Sequence, residues 1–499
     1  MTTPLETLAL VLPVAAPLLV AALAAVVGWH RWVAWSAVGA SGVVLASGAA
    51  VAAATSDGDV LAVGGHLRAD ALTAVMLLVI GAVAVIATWA SVGSVAGELA
   101  HGHTTARGAR RYAVLVPAFV ATMVAAVLAA NLGVLWAGVE ATTIVTAFLV
   151  GHHGGRRAVE ATWKYVIICS VGIALAYLGT VLVYYASQHV GGVSGEGTLD
   201  WAELAADAGR LDPGVLRIAV VLLIIGFGTK VGLVPMHSWL PDAHSQAPAP
   251  VSALMSGVLL SVAVYALLRY RVIAVAALGT TFVRTLLLVV ALASVLVAAS
   301  LLIAQRDYKR LLAYSSIEHM GLAVVGVAVG TPLAVAAVLL HLLGHGLAKG
   351  VLFCASGQIL ELTGTTRIDG VRGLLVRRPV LAGVVGLGIA ALLGLPPFSL
   401  LASEVALARA TAAVGLGWVV AVVLVVLLVV FVAVARPVAA MLLGPADDAP
   451  PAGGGGRAAR TVSSATAPLV LGLIALAVLG VAAPLDGLLE TAAAIVGSR

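Results

Sequence analysis

About fourteen apolar stretches, each long enough to cross a bilayer as a helix, follow one another along this chain with only short polar intervals between them. They lie near 5–27, 32–54, 70–95, 112–130, 133–150, 160–186, 215–235, 248–268, 281–304, 309–330, 332–361, 380–403, 416–443 and 465–484. The rest of the composition agrees: 62% of residues are hydrophobic, 10% are charged and the mean hydropathy is +1.13. A soluble globule carries about a quarter charged residues. The fold class is therefore all-α, a polytopic membrane protein with no room for a sizeable soluble domain. The longest polar intervals are near 187–214 and 444–464, and the second contains PADDAPPAGGGGRAAR, which reads as a flexible loop.

Several function classes drop out at this level. The N-terminus lacks the basic flank and small-residue cleavage site of a removable signal, so 5–27 is read as a retained span. Cys169 and Cys354, the two cysteines, sit in separate apolar spans, which excludes a disulfide framework and an iron–sulfur cluster held by this chain alone. No Walker A, dinucleotide fingerprint or HExxH is present, so nothing marks a nucleotide or a catalytic zinc, and no metal set is assigned. A net charge of +5 would suggest nucleic acid in a soluble protein, but here it follows from membrane topology, and no nucleic-acid partner is expected.

With an outside N-terminus, the inside loops collect sixteen Lys and Arg and the other side eight. The positive-inside rule then places both termini outside the cytoplasm of a cell membrane. Three of the 27 basic residues remain, Lys164, Lys230 and Lys349, and all three fall within spans. Every arginine can be placed at or near a loop. Arginine is effectively always charged, whereas a buried lysine can release its proton, so this division suits a chain that moves protons.

The spans differ in what they carry. The first three have almost no polar side chains and read as scaffold, with Asp70 a helix N-terminal charge. Glu140 lies about eight residues into the fifth, where it is either a site or a structural partner for a lysine. Glu160 and Lys164 stand four apart at the start of the sixth and share a helix face, which also suits a simple helix-end ion pair. In the seventh, GFGTKVGLVPMHSWLPD puts Lys230 at membrane depth just before Pro235. That proline lacks an N–H and crowds the carbonyl of Val231, so the lysine belongs at a wet break rather than against lipid. His237, Asp242 and His244 follow, and Ser252, Ser256 and Ser261 are the candidates for lining water in the eighth.

The tenth span opens with Lys309, read as half interfacial, and carries Glu318 and His319 about two turns deeper. His341, His345 and Lys349 occupy i, i+4 and i+8 of the eleventh, one polar stripe on an apolar helix. A lone histidine on such a face is usually core. Three titratable groups in register read better as a proton relay. The spacing would also suit a metal, but no carboxylate or thiol is in register with the pair. Pro396 and Pro397 break the twelfth span just before Glu404. Two proline-broken spans five apart, each with an ionisable residue, point to inverted five-helix repeats over spans 4–8 and 9–13. The chain thus divides into scaffold spans 1–111, repeats 112–271 and 272–443, and a loop with the last span at 444–499, all within one transporter domain 1–499.

At these residues the chain resembles the antiporter-like, proton-conducting membrane subunits of respiratory complex I and its relatives. Glu140, Lys230, His341, His345, Lys349 and Glu404 match that family's ionisable positions one by one, and KVGLVPMHSWLPDAHSQAPAPVSALMSG is close to its most recognisable motif. WKYVIICSVGIALAYLGT, LAYSSIEHMG and LPPFSLLASE look like component F of the hydrogenase-4 and formate hydrogenlyase type. The similarity covers essentially the whole chain. Ser256 departs from it, standing where many complex I members have histidine, and this favours a link from Lys230 to the eleventh helix through water. Glu404 stands where some members have lysine.

The resemblance implies a proton-translocating subunit of a multisubunit redox complex that catalyses no bond-making itself. Electron transfer would occur in a peripheral partner module, with a nickel–iron centre, iron–sulfur clusters or quinone there and no cofactor in this chain. Other membrane subunits and lipid would surround it. The expected relay runs over Glu140, Lys164, Lys230, His341, His345, Lys349 and Glu404, with His237, Lys309, Glu318 and His319 as further candidates. The rival readings are a free-standing or Mrp-type cation/proton antiporter and a coupling subunit for a non-redox partner such as vectorial carbon dioxide hydration. Against the antiporter stands the lack of any cluster of intramembrane carboxylates in the sequence.

Overall fold

The computed structural model describes residues 4–55, 58–189, 197–445 and 465–497. All but the first residue of PADDAPPAGGGGRAAR, the stretch read as a flexible loop, lies outside them. Six helices come first: α1 (Pro4–Val27), α2 (Arg31–Ala54), α3 (Ala71–Ala100), α4 (Ala106–Leu128), α5 (Leu132–Val150) and α6 (Arg156–Gln188). A short antiparallel hairpin, β1 (Val60–Ala62) with β2 (Leu67–Ala69), interrupts them between α2 and α3 and pairs Val60 with Ala69. It is a small β addition to an otherwise helical chain.

The starts of these helices are written locally. Asp70 accepts from the Thr73 N–H at the head of α3, and Asn131 accepts from Gly133 and Val134 at the head of α5. Asp212 does the same before Pro213, the first residue of α8 (Pro213–Val231), after the short α7 (Trp201–Asp207). Each side chain satisfies orphan N–H groups of a first turn.

The expected break in the seventh span is present. Helix α8 stops at Val231, one residue beyond Lys230, because Gly232 takes a left-handed φ of 86° and Pro235 follows. The chain resumes as α9 (Trp239–Gln246), then α10 (Ala249–Leu254), a π-helical turn at Met255–Leu259, and α11 (Leu260–Leu278). From Ala249 to Leu278 this is one continuous span, buried from Pro250 through Arg271. Within it Gly257 meets Gly346 of α14 (Pro332–Thr363), and a Cβ on either glycine would lie 2.8 Å from the other's carbonyl oxygen. The two helices cross backbone to backbone there.

Between them come α12 (Thr280–Ile303) and α13 (Tyr308–Val329), and after them α15 (Leu374–Arg377) and α16 (Pro379–Leu392). The twelfth span breaks as expected: α16 ends before Pro396 and Pro397, and α17 (Ser399–Ala413) carries Glu404. Then follow α18 (Gly417–Leu443), α19 (Ala467–Ala482) and α20 (Asp486–Val496). Among the described residues twelve helices are long and apolar enough to cross a membrane, and α19 with α20, bent by 79°, makes a thirteenth candidate. The fourteenth expected stretch is the α16–α17 pair, whose pieces are each too short to cross alone.

Helices α11, α13 and α14 form the buried interior, and α3 packs against α14 beside them. Helices α1 and α18 present apolar side chains outward. This arrangement keeps ionisable residues of α13 and α14 away from hydrocarbon, where they would be costly. One expectation about charge placement needs correction. Arg269 and Arg271 are buried in α11 rather than set at a loop. Arg269 is tolerated because its guanidinium grips both Asp70 oxygens, at 2.6 and 2.8 Å, and lies over the rings of Trp201 and Tyr265. Asp70 is thus both a helix cap and half of a buried ion pair.

Candidate functional site

The ionisable residues within the spans gather into two clusters, one beside each helix break. In the first, Lys230 is fully buried at the end of α8 and donates to Tyr165 Oη of α6 at 3.3 Å. Tyr165 in turn shares a hydrogen bond of 2.5 Å with Thr146 of α5 and also meets Thr143. Thr143 donates to Glu140 Oε2 at 3.0 Å. The expected partners Glu140 and Lys230 therefore act on each other across an intervening threonine and tyrosine rather than in direct contact. Trp239 closes the break by donating to the Thr229 carbonyl at 2.9 Å and packing on Tyr165 with ring centroids 5.0 Å apart.

Lys164 is not part of this cluster. Its ammonium is about half exposed and lies 2.7 Å from Glu160 and 3.1 Å from Asp242, which Arg310 also reaches at 3.1 Å. The helix-end ion pair that the spacing allows is what forms, extended across helices. His237 is half-buried in the break between α8 and α9, and its Nδ1 has no partner.

The second cluster is the stripe on α14 with the face of α13 that it meets. Lys349 donates to the Leu312 carbonyl at 2.7 Å and to Ser315 Oγ at 2.5 Å, leaving the ammonium without a carboxylate in contact. One turn along the stripe, His345 is fully buried and neither ring nitrogen has a hydrogen-bond partner. Its ring centroid lies 5.3 Å from that of His319. His319 Nδ1 is 3.2 Å from His341 Nε2, and His341 Nδ1 is 3.0 Å from Ser403 of α17. His319 also has Glu318 beside it, Nε2 to Oε2 at 3.6 Å, and Glu318 Oε1 is buried without a partner.

Glu404 completes this end. Ligand atoms of His319, His341 and Glu404 all lie within 4.8 Å of one another, and Glu404 also lines an otherwise apolar cavity of about 180 Å³ shared with α13 and α18. Lys349, His345, His341 and Glu404 thus follow one another in space, with His319 between the two stripe histidines. The same three groups are spaced to hold a metal ion. Reading the stripe alone misses this, because the carboxylate arrives from α17 and the third ligand from α13.

Other residues are visible only in three dimensions. His244 of α9 is fully buried, stacks on Phe353 at 5.0 Å and has no partner on either nitrogen. Because Phe353 is on α14, His244 sits between the broken helix and the helix that carries the stripe. Ser256, in the π-helical turn, shares a 2.7 Å hydrogen bond with Ser316, which also donates to the Leu312 carbonyl that receives Lys349. A π-turn is a common mark of a functional position. Lys309, read as half interfacial, is buried instead. It donates to the carbonyls of Ala247 at 2.9 Å and Ser245 at 3.4 Å, at the negative end of α9.

This geometry is matched by relatives. Residues 129–431 fit the model of the family described as NADH:quinone oxidoreductase/Mrp antiporter, transmembrane. A hydrogenase-4 component F homolog from Methylacidiphilum infernorum is 38% identical over 341 residues, 68% of this chain and 71% of that protein. Among solved structures, a chain of the archaeal membrane-bound sulfane sulfur reductase, a respiratory membrane complex, superposes with a TM-score of 0.84 at 24% identity, covering 99% of this chain and 98% of that one. A chain of the Mrp complex from Dietzia sp. gives the same TM-score at 22% identity over 99% and 98%. The family motif, the two broken helices and the buried lysines and histidines beside them lie within the matched region, and the chain belongs to the antiporter-like membrane subunits of the complex I, membrane-bound hydrogenase and Mrp family.

Proposed function

We propose that this chain translocates protons as a membrane subunit of a multisubunit redox complex of the hydrogenase-4 or formate hydrogenlyase type. Electron transfer takes place in a peripheral module that holds a nickel–iron centre, iron–sulfur clusters or quinone, and other membrane subunits flank the chain in a cell membrane with both termini outside. The observation that carries the reading is the seam between α13 and α14, where Lys349, His345, His319 and His341 follow one another in a buried interior and end at Glu404. Buried ionisable groups in spans are costly and need a functional reason.

The coupling is electrostatic. Glu140 holds a proton on Lys230 through space, and a charge change at the partner interface weakens that hold and drives the proton along water and hydroxyl groups towards Lys349. The Ser256–Ser316 contact supplies hydroxyls next to the carbonyl that Lys349 binds. A unit charge about 7 Å away at an effective dielectric near 20 is worth roughly 2 kcal/mol, enough to move a proton equilibrium more than tenfold. The two proline breaks support reading 112–271 and 272–443 as inverted repeats with one ionisable cluster each.

A cation/proton antiporter is the second reading, and one observation favours it. Glu318 lies 3.6 Å from His319, and Glu404 has a ligand atom within 4.8 Å of the same residue, so two carboxylates flank one histidine inside the second half. Purification through a tag on this chain tests both readings. Co-purification of a large nickel–iron or quinone-reducing module, with proton uptake into vesicles driven by that module's substrate, is expected. Recovery of a stable monomer that exchanges sodium for protons by itself would sink the redox reading.

A further inference from the structure

On the loop face that the charge asymmetry assigns to the cytoplasm, three side chains from two separate segments converge outside the relay. Glu98 belongs to the last turn of α3, and His152 and His153 form the turn between α5 and α6. His153 Nε2 lies 3.2 Å from Glu98 Oε1 and His152 Nε2 lies 4.0 Å from Glu98 Oε2. One ligand atom from each of the three falls within 4.8 Å of the others. The two rings are nearly perpendicular, with centroids 5.1 Å apart, so their nitrogens converge on the carboxylate from different directions.

An ordinary ion pair explains only half of this. A protonated His153 beside Glu98 would be such a pair, and at 38% side-chain exposure it would contribute little. His152 is different, because its side chain is 2% exposed and its Nδ1 has no partner. At 4.0 Å its Nε2 does not hydrogen-bond Glu98. A buried imidazole that faces a carboxylate without bonding it is a half-made ligand set.

The surroundings hold these groups in place. Arg111 donates to the His152 carbonyl at 3.3 Å, and the His152 ring packs edge-on against Tyr112 at 5.5 Å. On the other segment, the N–H groups of His103 and Thr104 both bond the Glu98 carbonyl, fixing the end of α3. Two imidazoles and one carboxylate match the donors that bind zinc at about 2.0–2.2 Å, leaving a fourth position open. Neighbouring ligands in a tetrahedral site stand roughly 3.3 Å apart, so the 3.2 Å contact already fits and the 4.0 Å one closes by well under 1 Å.

We propose that Glu98, His152 and His153 bind a divalent transition-metal ion of the zinc type at the mouth of the protein. Such a site is independent of what the chain transports.

The test uses the full chain in detergent, stripped with chelator and titrated with Zn²⁺ alone, with metal content read by mass spectrometry. One zinc per chain is expected at micromolar concentration, and Co²⁺ in its place should give visible d–d absorption bands. Glu98→Gln and His153→Gln, both at partly exposed positions, should each weaken binding by at least about tenfold and remove the cobalt bands, while His101→Gln should change neither. Because a variant could misfold, the parent chain is also treated with diethyl pyrocarbonate, which should modify His153 without zinc and spare it with zinc. No retained zinc, retention unaffected by either substitution, or His153 equally modified with and without zinc would each overturn the site.

Discussion

Lys230 meets Tyr165 and not Glu140: its ammonium donates to the tyrosine hydroxyl at 3.3 Å, and Thr143 is the residue that contacts the carboxylate. The two residues are therefore linked through a polarisable string of hydroxyls, Tyr165 and Thr143, and not by direct contact. A direct ion pair would be harder to switch, since separating it exposes two bare charges.

Replacing Tyr165 by Phe removes the one hydrogen-bond acceptor that Lys230 has among the described residues, while keeping the ring that packs on Trp239. Loss of a hydrogen bond to a buried charge is worth about 1–3 kcal/mol, so proton transport by the assembled complex should fall roughly five- to hundredfold. Vesicle proton uptake by parent and variant, at matched assembly, gives the answer. Equal rates would mean that the hydroxyl plays no part in setting the state of Lys230.

The Asp70–Arg269 pair makes a separate prediction about stability. Asp70→Asn keeps the oxygen that caps α3 but removes the charge, and leaves Arg269 buried without its counter-ion. Breaking one side of such a pair costs about 3–5 kcal/mol, whereas replacing both residues by apolar side chains of similar volume is nearly neutral. Thermal unfolding in detergent should show a large loss for Asp70→Asn and a small one for Asp70→Leu with Arg269→Met. A single variant as stable as the parent would show that the pair is not holding α3 to α11.

What the sequence made legible was whatever is written locally. Lys230 and Pro235 are five residues apart, and the break follows from proline chemistry at that spot. His341, His345 and Lys349 share one helix face, so their alignment follows from helical period alone. The partners of that face did not follow. His319, Leu312 and Ser403 come from other helices, and the Asp70–Arg269 contact joins residues 199 apart in sequence. Lys309 looked interfacial because it stands at a helix start. It is buried because α9, itself only eight residues long, lays its last carbonyls over it. Lys164 sat within an apolar span, yet its face turns outward to Glu160 and Asp242.

The orientation drawn from sixteen against eight basic residues is testable with single cysteines. Cys169 and Cys354 are both buried, so an introduced surface thiol should dominate labelling by a membrane-impermeant maleimide. Glu203→Cys, on exposed α7, should label on intact cells, and Arg367→Cys should label only after permeabilisation. The reverse pattern would invert the topology and move the Glu98–His152–His153 cluster to the outer face.

The sharpest test remains Lys230 itself. Lys230→Ala removes the charge that Glu140 acts on, and loss of transport there would not separate a structural counter-ion from a proton carrier. Lys230→Arg does separate them. Arginine keeps the positive charge and can still donate to Tyr165, so the electrostatic balance with Glu140 and the packing of α8 against α6 should survive. It releases its proton in only about one molecule in a million at neutral pH, so any mechanism that needs deprotonation here should fail. The arginine variant should therefore assemble with its partners and show proton uptake reduced by more than roughly tenfold. The partner module's electron transfer should fall equally if coupling is tight and less if it is loose. Assembly with parental transport would make Lys230 a fixed counter-ion and end the relay mechanism.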